Sequence, residues 1–180
     1  LPRSPEKTLN PPGTATAMRI LMGILGLLLG LLMILVTLYG RMGMDLALSS
    51  DIPVELEDGI RIMQMLFYLV AALSLAVIVS SIATFINSAW APKALLGSTG
   101  AMFVLLVGCG IYEYSMFDVF YGDTFTNSEE AKEYISWRIT PMTTFSMLMV
   151  YINLFFSGLI WLIYYLGRGA AAKPTLAGGE

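Results

Sequence analysis

Arg19-Ile-Leu-Met-Gly-Ile-Leu-Gly-Leu-Leu-Leu-Gly-Leu-Leu-Met-Ile-Leu-Val-Thr-Leu-Tyr-Gly40 is the stretch that decides the fold class. No charged side chain lies between Arg19 and Arg41. At 1.5 Å per helical residue, a run of this length crosses a hydrocarbon core of about 30 Å. It is longer than the apolar core of a signal peptide, which is about 7 to 15 residues. The expectation is therefore a retained transmembrane span, with lipid as the solvent of the fold.

The rest of the chain agrees. Of 180 residues, 13% are charged and 57% are hydrophobic. A soluble domain carries about 25% charged residues. The net charge is −3, so no basic surface argues for nucleic acid. Cys109 is the one cysteine, which rules out an intrachain disulfide. There is no histidine. That removes the commonest metal ligand, the commonest general base and the usual haem ligand together.

Apolar runs place four spans at about 20–39, 62–86, 94–112 and 142–166. Pro11-Pro12-Gly13 predicts an irregular tail over 1–17, and 167–180 reads as a flexible tail. The 87–93 connector is short, so the second and third spans should be antiparallel neighbours. Between the third and fourth spans, Thr126 and Glu129 have capping-box spacing, and Ala131, Tyr134, Ile135 and Arg138 recur at helical spacing. This predicts a short interfacial helix near 128–138. The fold class is thus all-α: a polytopic integral membrane protein, a bundle of four transmembrane helices with one surface helix between the third and fourth.

Four spans put both tails and the 87–93 turn on one side. That side holds Arg3, Lys7, Arg19, Lys93, Arg168 and Lys173 against Glu6 and Glu180. The other holds Arg41, Arg61, Lys132 and Arg138 against eleven acids. Orientation follows Lys and Arg, so both termini are expected on the cytoplasmic or equivalent side of a bacterial inner membrane or an organelle membrane.

Spans associate in lipid by close packing of small residues and by hydrogen bonds between helices. Each span carries such a stripe. These are Gly23, Gly26 and Gly30; Ala71, Ser74 and Ser81; Gly97, Ala101 and Gly108; and Ser146, Asn153 and Ser157. All four stripes are expected to face inward as packing surfaces. A path for water or ions is the competing reading, but conducting paths usually need intramembrane charges or backbone rings.

Few residues carry chemistry. Glu113 lies at the end of the third span between two tyrosines, as a proton or cation acceptor or simply as the mark of the membrane edge. Met42, Met44, Met63 and Met65 form two Met-x-Met pairs, a candidate soft copper site if the thioethers converge. Methionines are more often gap-filling hydrophobes. Cys109 in an apolar, glycine-rich span reads as packing. The acid-rich face suits a basic partner protein, and solvated loops are commonly acidic in any case.

These features point to a non-catalytic integral membrane subunit or scaffold of a larger membrane complex, with lipid and other subunits as partners and no cofactor required. Phe67, Tyr68, Phe103, Phe145, Tyr151, Phe155 and Phe156 are expected to form a bulky outer surface that contacts other spans, lipid, a quinone or a pigment. The alternatives are a small homo-oligomeric channel or transporter, and a membrane enzyme subunit using an external cofactor.

Overall fold

A computed structural model describes residues 12–49, 54–124 and 140–171. They form four helices: α1 (Pro12–Leu48), α2 (Val54–Phe85), α3 (Ala91–Thr124) and α4 (Thr140–Ala171). Each is long and apolar enough to cross a membrane. The interfacial helix expected near 128–138 lies outside the described residues.

All four helices outrun their apolar cores. α1 has 37 residues, about 55 Å of helix, which exceeds the hydrocarbon thickness by several turns. It begins at Pro12, inside the stretch expected to be an irregular tail. A proline in a first turn forfeits no hydrogen bond, because the first N–H groups of a helix have no partner within it. Beyond the apolar runs, ion pairs one turn apart continue the helices. Arg41 Nε lies 3.7 Å from Asp45 Oδ2 in α1, and Arg61 Nη2 lies 2.5 Å from Glu57 Oε1 in α2. The described residues between the first two expected spans, 40–49 and 54–61, are therefore almost all helix. α3 likewise runs past Glu113 to Thr124, and α4 runs through Gly167 to Ala171.

The helices alternate up and down around a ring in which each packs on its sequence neighbours and α4 closes on α1. Side-chain contacts fix the registers. Gln64 donates to Asp45 Oδ1 at 2.8 Å, and the Arg41 guanidinium stacks on Tyr68 with 4.9 Å to the ring centroid. These pin the acid-rich ends of α1 and α2 together. Ser74 Oγ lies 3.5 Å from Met102 Sδ, which sets α2 against α3. Trp161 Nε1 lies 3.4 Å from Thr99 Oγ1, which sets α3 against α4.

The inward face of α2 is a near-perfect heptad seam: Ile60, Met63, Phe67, Val70, Ser74, Val77, Ser81 and Thr84, all buried. Alternating steps of three and four keep one stripe on one side of a helix. α3 follows the same rule with Leu95, Thr99, Met102, Leu106, Cys109 and Glu113. The outer faces carry Leu, Ile, Val, Phe and Tyr.

The turn from α2 to α3 explains how the chain reverses so tightly. Ser88 N–H donates to Ala83 O at 3.1 Å, and Asn87 N–H to Thr84 O at 3.2 Å. That pair of bonds is a Schellman cap, which needs a left-handed residue after the helix. Asn87 supplies it, with φ of 65°. Asn tolerates this region and β-branched residues do not. Asn87→Gly should therefore leave the unfolding midpoint in detergent unchanged or slightly raised. Asn87→Val should lower stability by about 1–2 kcal/mol.

Candidate functional site

The bundle interior contains polar side chains on every helix: Thr37, Ser74, Ser80, Ser81, Thr84, Thr99, Glu113, Ser146, Asn153 and Ser157 are all buried. In an apolar medium each must find a partner or cost several kcal/mol. Most of the hydroxyls find one within their own helix. Thr37 donates to Met33 O at 2.6 Å, Ser74 to Val70 O at 2.7 Å, Ser81 to Val77 O at 2.6 Å and Ser157 to Asn153 O at 2.5 Å. Thr84 and Ser80 do the same one turn back, and Thr99 donates to Leu96 O at 3.1 Å. A hydroxyl bonded to its own backbone is satisfied without solvent, which is compatible with close helix packing in lipid.

Two residues break this pattern, one on each side of the α3–α4 seam. Glu113 is 1% exposed and Asn153 is fully buried. The Ser146 hydroxyl hydrogen-bonds the Glu113 carboxyl, while Glu113 Oε1 has no partner. Both Asn153 Oδ1 and Asn153 Nδ2 are also without partners. The carboxylate read as a marker of the membrane edge thus points into the bundle. The asparagine read as one member of a packing stripe is its least satisfied member. Heptad spacing from Leu95 through Cys109 to Glu113 was the signal that would have turned Glu113 inward.

The other candidates divide cleanly. Gly23, Gly26, Gly30, Ser74, Ser81 and Ser157 are buried. Gly26 packs directly on Ser81 and on Leu95 of α3; Gly30 packs on Ile78 and the Ser74 carbonyl of α2. The α3 stripe faces the other way. Gly97, Ala101 and Gly108 are exposed, with open space beside both glycines. Leu95, Met102 and Leu106, with Thr99 and Cys109 between them, fill the interior more fully than that stripe could, so they take the inner face.

Met44 and Met63 are buried, whereas Met42 and Met65 are 70% and 67% exposed. The structure does not bring the four sulfurs together. Among the described residues, no group of three or more Cys, Asp or Glu side chains is placed to hold a metal ion. Phe67, expected on the bulky outer surface, is in the core; Tyr68, Tyr151 and Phe155 are exposed as expected. Cys109 is buried one turn below Glu113.

No protein-family model, curated protein or solved structure matches this chain.

Proposed function

We propose that this protein is a non-catalytic subunit of a larger membrane complex, held to a transmembrane helix of a different subunit along the outer face of α3. The observation that carries this reading is the outward stripe of Gly97, Ala101 and Gly108. The outer faces of α1, α2 and α4 are bulky, with Leu28, Leu35, Leu69, Val79, Leu154 and Phe155 exposed. Lipid chains fill such faces well. On α3 the small residues 97, 101 and 108 alternate along one seam with the exposed Val104 and Ile111, leaving hollows into which a neighbouring helix can pack closely, a main source of helix association in lipid.

Charge favours a different chain over a second copy. Copies side by side share one orientation in the membrane. Their ends, with ten acids besides the buried Glu113 against four bases each, would meet like against like. A partner with basic loops on that side gains the opposite term.

The test is native mass measurement after extraction in mild detergent. The expected result is an assembly containing this chain and a different membrane subunit in fixed ratio. A homo-oligomer would overturn the proposal in favour of a channel or transporter, and a bare monomer would overturn both.

The same reading places both tails and the turn around Ala89 on the cytoplasmic or equivalent side, following the six basic residues there. In a Cys109→Ala background, Ser49→Cys should react with an impermeant maleimide added outside sealed cells, and Ala89→Cys only after permeabilisation. The reverse pattern inverts the topology.

A further inference from the structure

We propose that the α3–α4 seam contains an intramembrane proton-binding site, in which Glu113 carries the proton and Asn153 is its polar counterpart on the facing helix. Two independent observations meet here: a buried carboxyl with one unpartnered oxygen, and a buried amide with neither end partnered on the facing helix.

The register brings them toward one another. Glu113 is level with Ser146, to which it is bonded, and Thr99 is level with Trp161. Asn153 therefore sits level with residues 106–107 of α3, two turns deeper than Glu113. Seven residues of rise separate the two α-carbons by about 10 Å along the bundle. Helical side chains lean toward the N-terminus of their own helix. Because α3 and α4 are antiparallel, Glu113 leans inward and Asn153 leans outward, each toward the other. Cys109 and Met149 are buried on the same two faces between them.

No described cationic side chain offsets a charge on Glu113. On α3 the titratable neighbours are Tyr112 and Tyr114 on either side of it in sequence and Cys109 one turn away. On α4 the contact is the neutral Ser146. The Ser74–Met102 contact, continued eleven residues along both chains, places Met63 of α2 at the level of Glu113. On α1 the adjoining buried residue is Met44. The charges at that end, Arg41 with Asp45 and Arg61 with Glu57, pair with each other at the surface. An isolated buried carboxylate is strongly disfavoured, and an intramembrane carboxyl is neutralised by taking up a proton. Water at the acid-rich end donates it; the carboxylate oxygen accepts it, and no other bond changes.

The test uses dicyclohexylcarbodiimide, a lipid-soluble reagent that adds to a protonated carboxyl and leaves a stable acylurea, on the full chain in membranes. The expected result is one adduct, mapped by peptide mass to Glu113. Its yield should fall as pH is raised across about 5 to 9. Glu113→Gln should abolish the adduct. Asn153→Leu should move the pH of half-yield by one unit or more, a tenfold change in proton affinity. Ser157→Ala, on the same face of α4 but bonded to its own backbone, should leave it unmoved. Adduct mapping on the unmodified protein needs no variant to fold. Absence of an adduct at Glu113 throughout that range, or a yield indifferent to pH, overturns the site. An unmoved half-yield in folded Asn153→Leu protein removes Asn153 from it.

Discussion

Gly26→Leu prevents the bundle from closing, while Leu28→Ile, two residues on, leaves it unchanged. The contrast comes from what each side chain would meet. A β-carbon on Gly26 collides with the Ser81 hydroxyl of α2 and lies 2.9 Å from Leu95 Cδ1 of α3. Gly26 is thus where α1 touches a neighbour and its diagonal partner at one level. Overpacking by a few methylenes costs about 1–3 kcal/mol where neighbours can shift. Here two helices must shift at once, so the folded fraction in a detergent unfolding titration should fall at least tenfold. Leu28 is 51% exposed toward lipid, so the change to Ile falls in the ordinary surface range of about 0.5 kcal/mol. The smaller Gly26→Ala should be partly rescued by Ser81→Ala, which removes the colliding hydroxyl. Gly30→Ala should resist rescue by a side-chain change in Ser74. There the added carbon lies 3.0 Å from the Ser74 carbonyl oxygen, which is backbone, and 2.5 Å from Ile78 Cγ1. If Gly26→Leu protein shows the unfolding midpoint of the unmodified chain, α1 is a peripheral anchor.

The four helices and their order were legible because lipid imposes long uncharged runs that few other folds use. Their ends were not. Arg41 with Asp45 and Arg61 with Glu57 look like loop charges when read as composition. At a spacing of four they instead pair along a helix that continues past its apolar run. Inward faces were legible wherever small and large residues segregated, as in α1 and α2. They were misread on α3, where the small residues form one stripe at 97, 101 and 108 and the large ones another at 95, 102, 106 and 109. Both stripes have helical spacing, and smallness alone does not say which partner a face awaits. Volume decides it: a four-helix interior must be filled, so the large stripe turns in. Glu113 was read by its neighbours in sequence, two tyrosines. Its neighbours in space, Ser146 and the α4 face that carries Asn153, are set by a register that no local motif encodes.

A double substitution of Gly97→Leu and Gly108→Leu separates packing within the bundle from packing against a partner. A β-carbon at either glycine has no neighbour within 4 Å, and both positions are exposed, so the added side chains should extend away from the bundle. Leucine is also the better helix former, by up to about 1 kcal/mol per site. The unfolding midpoint of the isolated chain should therefore hold or rise, the opposite sign from Gly26→Leu. The partner, however, loses its close approach. Each leucine holds an opposing helix away from the α3 backbone, and the dispersion and Cα–H···O contacts available at that separation are lost with distance. Recovery of the neighbouring subunit in mild detergent should drop at least tenfold, while this chain's own abundance and fold persist. The two readouts fail separately. A lower midpoint would mean that the α3 stripe packs within the bundle. An unchanged partner yield would mean that the partner binds elsewhere, with the acid-rich end the next surface to alter.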